Sequence, residues 1–235
     1  MSVFDSSITL YLTFITCYTI ASLLGFIVDY SMILEHKKIK NRTKGEYLEL
    51  YKKITPTVCK NVYIYSYPYM YSVCYLNDTI NNGFREYNSN NIIALFQFYI
   101  CFQLFRFLSD IIFYSAHRLL HTKYLYKYHK KHHEIKNPII VSALYMGIID
   151  LYFSNLSPLA LTFILLNYNI LTAQIFIFLQ IIFSLPIAHG GYNNISEDHN
   201  FHHTLFKYNF GSSSSKLCMD NVFKTNYIEN DEKKE

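Results

Sequence analysis

Between Leu151 and Ser196 the chain runs for 46 residues without an Asp, Glu, Lys or Arg. Inside a bilayer no water is available to satisfy backbone N–H and C=O groups, so a stretch of this kind must form helices or close a barrel. A helix needs about 20 apolar residues to cross the hydrocarbon core. The stretch is therefore long enough for two crossings, about Ser157–Asn167 and Ile170–Pro186, with Asn167-Tyr168-Asn169 as the turn between them.

Two further segments read the same way. Ser6–Val28 carries no charged residue, and it has neither the basic start nor the small-residue cleavage site of a signal peptide. Asn90–Phe105 is apolar and continues past Arg106 and Asp110 toward His117. Asn61–Asn77 is uncharged, rich in Tyr and interrupted by Pro68, which suggests a short kinked span or an interfacial segment. The composition agrees: 51% of residues are hydrophobic and only 16% are charged, against about 25% charged in an average globular domain. A net charge of +4 is too small to argue for nucleic acid. Five scattered cysteines, with no CxxC pair, offer neither a disulfide framework nor a cysteine zinc site.

Charge sets an orientation. Glu35–Lys60 holds eight Lys or Arg against three Glu, and the segment from Arg118 to Lys136 is basic as well. Basic loops tend to stay cytoplasmic. Both loops then lie on one side, which requires Asn61–Asn77 to cross or re-enter together with Asn90–Phe113. The expectation is an all-α integral membrane bundle of four to five spans, with a cytoplasmic His-rich cap.

The cap carries the chemistry. His117 and His121 are four apart, which on a helix puts both rings on one face. His129, His132 and His133 follow as HxxHH, spaced i, i+3, i+4 and so again on one helix face, and His199, His202 and His203 repeat that spacing about seventy residues later. His189 stands just after a span. A single HxxxH pair would mean little, and a basic His-bearing helix could face lipid headgroups. Eight histidines in three boxes on one membrane face point to metal instead. A structural zinc takes four ligands, so eight or nine imidazoles suit two ions. The Glu-x-x-His pairs of carboxylate-bridged di-iron bundles are absent from the sequence. Imidazole suits iron, zinc and copper alike, so the ligands leave the element open.

These boxes resemble those of the membrane-bound fatty acid hydroxylase/sterol desaturase superfamily, and within it the C4-methylsterol monooxygenases. "DIIFYSAHRLLH" from Asp110, "HKKHHE" from His129, "HGGY" from His189, "HNFHHTLFKYNFGSS" from His199 and "DNVFKT" from Asp220 carry the resemblance, over about Asn61–Thr225. It implies a domain plan of 1–60 (membrane helix and basic segment), 61–225 (catalytic domain) and 226–235 (charged tail). It also implies nine ligands: His117, His121, His129, His132, His133, His189, His199, His202 and His203, with no catalytic residue beyond them. Asp110 and Glu134, beside the boxes, are candidate partners for the outer imidazole nitrogens. Two departures stand out. Gly147 and Ile148 replace a His-Pro pair, although Tyr145 and Asp150 keep their spacing, and Lys224 replaces a glycine.

The resemblance further implies two iron ions, dioxygen as co-substrate and attack on an unactivated C–H bond of a lipid, most simply a sterol. Sterol C5 desaturation and fatty-acyl or sphingoid hydroxylation are alternatives within the superfamily. No cytochrome b5 or GxGxxG signature is visible, so electrons would come from a separate cytochrome b5/reductase-type donor, at the endoplasmic reticulum membrane. A metal-binding or transport protein and an inactive scaffold are the non-enzymatic readings.

Overall fold

The computed structural model describes residues 1–85, 92–211 and 218–227. The sequence expectations for Asn90, for the end of the last box motif at 212–213 and for most of the charged tail lie outside them. Among the described residues the chain is helical, and no strand is formed.

Helix α1, Val3–Ser31, begins at Ser2, whose hydroxyl accepts the Asp5 amide. It is apolar on all sides, as expected for a helix with no aqueous face. Leu23 and Ile27 remain 57% and 58% exposed. The chain then turns through a basic loop into α2, Lys44–Cys59, opened by a reciprocal Thr43–Glu46 capping box. α2 passes without interruption through a π-helical segment, Lys60–Tyr65, into α3, Ser66–Asn81. The 60/61 boundary read from the sequence therefore falls inside a continuous run of helix.

This run returns along α1. Tyr51 donates to Asp29 at 2.9 Å, the Thr19 and Tyr63 hydroxyls meet at 2.7 Å, and the rings of Tyr11 and Tyr67 lie 5.3 Å apart. The paired residue numbers sum to nearly the same value throughout, the mark of antiparallel neighbours. Pro68 does not break the helix, contrary to the sequence reading. The wider π turn just before it absorbs the missing amide donor and the ring clash. The same solution recurs at Leu151–Leu156, just before Pro158. The two π segments pack together through Tyr152 Oη donating to the Tyr65 carbonyl at 2.7 Å.

Helix α4, Ile92–Leu120, leads toward the histidines. Short α5, Tyr126–His129, and two 3-10 turns, His132–Glu134 and Ile140–Leu144, carry the second box and the loop beyond it. Then α6, Ile148–Asp150, runs through the second π segment into α7, Ser157–Leu166. Helix α8, Ile170–His189, comes back. The expected Asn-Tyr-Asn turn is present: Asn167 takes a left-handed conformation (φ 44°), and Asn169 caps α8 by accepting the Thr172 amide at 2.9 Å. Phe105, Phe163, Tyr168 and Phe176 stack between α4, α7 and α8 and form the centre of the core.

Four described helical stretches are long and apolar enough to cross a membrane: Val3–Ser31, Phe98–Leu120, Ile148–Leu166 and Ile170–His189. The chain is thus built as an integral membrane protein. α3 is not among the four, yet it extends beside α1 to the end distant from the histidines, where Asn81 donates to the Ile164 carbonyl at 2.9 Å. At the other end the two basic segments meet, with Arg42 donating to the Asn137 carbonyl at 2.6 Å.

Candidate metal centre

Four elements deliver the histidines to one end of the bundle. The last turn of α4 supplies His117, and His121 follows directly after it. His189 ends α8. α9, Glu197–Leu205, carries His199, His202 and His203. The second box lies on the short turns after α4. Seven of the nine side chains are fully buried, and His121 and His199 are partly so.

They form two groups, each with its nearest ring nitrogens within 4.8 Å of one another: His117, His121, His129, His133 and His202 in one, and His132, His189, His199 and His203 in the other. The two HxxHH boxes are each divided between the groups. The sequence reading put each box on a single helix face. In the structure the chain leaves the α-helix after His129, and the 3-10 turn sends the adjacent His132 and His133 to different groups. On α9 the step from His202 to His203 has the same effect.

Hydrogen bonds fix how the rings are protonated. His117 Nδ1 lies 2.7 Å from the Phe210 carbonyl, His202 Nδ1 2.7 Å from the Tyr208 carbonyl, and His129 Nδ1 2.8 Å from Asp150 Oδ2. These oxygens only accept, so each Nδ1 carries the hydrogen and each Nε2 presents a bare lone pair. Yet His117 Nε2 and His129 Nε2 face each other at 3.0 Å. Two lone pairs at that distance, with no proton between them, repel unless a cation joins them. His133 Nε2 approaches His129 and His121 at 3.0 and 3.1 Å. In the second group His189 Nε2 lies 3.1 Å from His199 and 3.4 Å from His132. This donor set fits divalent transition-metal ions that accept imidazole nitrogen.

The rings are kept neutral. Burial, and then the His132 imidazole, hold His121 at about 4. Burial also lowers His132 to about 4, opposed in part by Asp150. His129, His133, His199, His202 and His203 are lowered for the same first reason. In the unfolded chain imidazole titrates near about 6.5. On acidification the unfolded chain therefore binds protons first, so stability is full above that pH and falls as the pH drops toward 4. The melting temperature of the metal-free protein, followed from pH 7 to pH 4, is expected to fall throughout that window. A flat profile would contradict buried neutral rings.

The residues that hold the rings differ from those expected. The carboxylate on a histidine is Asp150, which is fully buried and also accepts Ser154 Oγ at 2.5 Å. Glu134 is half exposed, accepts the Tyr145 hydroxyl at 3.0 Å and lies 3.5 Å from Lys53. Asp110 accepts the Met219 amide at 2.9 Å. Asp220 takes the amides of Phe210 and Gly211 at 2.9 and 2.6 Å and the Thr225 hydroxyl at 2.6 Å. Asp110 and Asp220 thus tie the C-terminal segment beneath Phe210, whose carbonyl holds His117. Backbone carbonyls carry no sequence signal. Asp150 carried one in its spacing from the second box. Lys224, where the related pattern has glycine, is left-handed (φ 54°). A lysine there costs about 1–2 kcal/mol relative to glycine, but the turn is retained.

Phe206 and Phe210 pack against His133, His121 and His202, with ring centres 4.9–5.4 Å apart, and shield the first group from water. Fold and site together define a helical membrane protein with two adjoining all-histidine centres. The chain belongs to the fatty acid hydroxylase family, whose pattern residues 102–225 match. It is 35% identical over 124 residues to fatty acid hydroxylase ahd1 of Mycosarcoma maydis, covering 51% of this chain and 31% of that protein. It is 32% identical over 139 residues to C-4 methylsterol oxidase erg25 of Schizosaccharomyces pombe, covering 52% and 45%. It is 31% identical over 135 residues to very-long-chain aldehyde decarbonylase GL1-8 of Oryza sativa subsp. indica, covering 50% and 48%. The chain therefore spans only about a third to a half of the length of these curated relatives. No solved structure matches it.

Proposed function

We propose that this chain is a membrane oxygenase that uses two iron ions and dioxygen to oxidise an unactivated C–H bond of a lipid. The observation that carries the reading is the convergence of nine imidazoles in two groups, with Nδ1–H anchored on His117, His129 and His202. The first group would hold one ion and the second group the other. Bound there, iron would supply the activation of dioxygen that side chains alone do not provide. The chain's own part is to keep each Nε2 unprotonated, to fix ring orientation through Asp150 and two carbonyls, and to keep water out with Phe206 and Phe210.

The surroundings support a lipid as the substrate class. A largely apolar groove of about 630 Å³ lies between α1 and α2, lined by Leu23, Phe26, Val58, Val62 and Val141, with the Tyr18 and Tyr63 side chains among them. Sites of this size and lining suit an apolar ligand. Val141 lies on the 3-10 turn that follows the second box. Hydroxylation or oxidation at a sterol C4-methyl is the leading assignment, supported by the box motifs and the sterol oxidase relative. Fatty-acyl oxidation, supported by the hydroxylase and decarbonylase relatives, is the alternative. Exposed Lys123, Lys127, Lys130 and Lys136 beside the centre would receive an acidic electron donor of the cytochrome b5 type. The site faces the cytoplasm in this reading, at the endoplasmic reticulum.

The test is complementation. Cells lacking either sterol C4-methyl oxidation or fatty-acyl hydroxylation receive this chain or its His203→Ala variant, and their lipids are analysed. Restoration of one product by the wild type alone supports the reading and names the substrate. Equal restoration by the variant would refute it.

A further inference from the structure

The turn that carries His189 is held from outside the matched segment 102–225. Lys38, in the basic loop after α1, is buried, with its side chain 2% exposed. Its ammonium lies 2.8 Å from Asp29 Oδ1, donates to the Gly190 carbonyl at 2.7 Å and sits 4.0 Å above the centre of the Tyr192 ring. An ammonium has three donors, and these partners use its full capacity. The other Asp29 oxygen accepts the Tyr51 hydroxyl at 2.9 Å. Backbone pairing extends the clasp, with Ile39 N donating to Gly191 O at 2.9 Å and Asn193 N to Lys37 O at 2.8 Å.

The clasped turn has no slack. A methyl group on Gly190 would come within 2.6 Å of the Tyr192 ring. Gly191 is left-handed (φ 66°), and a methyl group there would come within 2.7 Å of the Pro138 carbonyl oxygen. His189 needs such support. Its Nδ1 is buried without a hydrogen-bond partner among the described residues, as are those of His132 and His203, whereas three rings of the first group are anchored at Nδ1. The aim of His189 is therefore set by its backbone. A buried ion pair is a weak stabilising device, because desolvation offsets most of its attraction. A positioning role accounts for it better.

We propose that Lys38, backed by Asp29, is a positioning residue for the second histidine group: it fixes the Gly190 carbonyl and so aims His189 at His132 and His199. This rests on the two-metal reading above. The test is a cobalt(II) titration of the metal-free full chain in detergent, followed by visible absorption and equilibrium dialysis. The wild type is expected to take up two ions, the first more tightly. Lys38→Met is expected to weaken the second uptake about 10–100-fold, the range seen when an outer partner of a ligand is lost, and to leave the first unchanged. His189→Ala should affect the same uptake, and adding Lys38→Met to it should cause no further loss, since one residue acts through the other.

Both uptakes unchanged in Lys38→Met, or a double variant clearly worse than His189→Ala, would overturn the proposal. If Lys38→Met does not insert, Asp29→Leu/Lys38→Met removes both buried charges, an exchange proteins often tolerate. The same selective weakening is then expected. Two normal uptakes, or again no folded protein, would assign the pair to folding and overturn the positioning role. A wild type that takes up no cobalt would bring down the two-metal reading and this proposal with it, an outcome distinct from a variant that behaves normally.

Discussion

On the two-metal reading proposed above, His133→Ala is expected to remove one metal ion per chain and to lower the proposed lipid oxidation by more than about 100-fold, while the metal-free protein stays folded. His133 is the hub of the first group, with Nε2 within 3.0 and 3.1 Å of His129 and His121 and a ring centre 4.8 Å from that of His202. Losing an outer partner of a ligand costs 10–100-fold in affinity or activity, and losing the ligand itself should cost more. The metal-free protein should tolerate the change, because His133 Nδ1 has no partner among the described residues to be orphaned. The variant also relieves crowding of lone pairs that burial keeps unprotonated. These gains offset the cavity left behind, for a net loss within about 2 kcal/mol. Metal analysis together with melting curves, with and without metal, checks this. The wild type should gain stability on metal loading, and the variant should lose most of that gain. A variant with its full metal content would remove His133 from the ligand set.

The second large effect is expected at Asp150. Asp150→Asn should weaken metal binding at the first group about 10–100-fold without unfolding the chain. The amide oxygen can still accept from His129 Nδ1, so ring orientation survives, but the negative charge that makes the ring a better donor is gone. Asp150→Leu should go further. It leaves the buried His129 Nδ1–H without the acceptor that lies 2.8 Å from it, at about 1–3 kcal/mol, while the Ser154 hydroxyl keeps the Asp150 backbone carbonyl at 2.9 Å. Competition with a chelator, read beside thermal melting, separates the two. Equal metal affinity in wild type and Asp150→Asn would mean that the negative charge adds nothing to the hydrogen bond that the amide oxygen also accepts.

Much of this was legible from residue order. Charge-free length gave α1, α7 and α8, because only an internally bonded helix satisfies backbone groups in hydrocarbon. The Asn167-Tyr168-Asn169 turn was legible because asparagine tolerates left-handed φ and caps helices. Pro68 misled, because proline usually interrupts a helix, and only the neighbouring π turn shows how this helix absorbs it. Asp110 and Glu134 were chosen for closeness in sequence to the boxes. The partner of His129 instead comes from Asp150, 21 residues on, brought there when α6 folds back over the box.

The sequence by itself determined that the chain is a helical membrane protein whose histidines gather at one end. Hydrophobic length and charge-free runs are local properties that no folding can hide, and the histidines sit at the ends of those runs. Only the tertiary structure decided which imidazoles share a group. The second box leaves the helix midway, and within α9 the spacing of four keeps His199 and His203 together while His202, one residue before His203, turns to the other group. The structure alone also placed Lys38 beside Gly190, 152 residues away in the chain. That contact depends on α1 and α8 ending side by side, which no local pattern encodes.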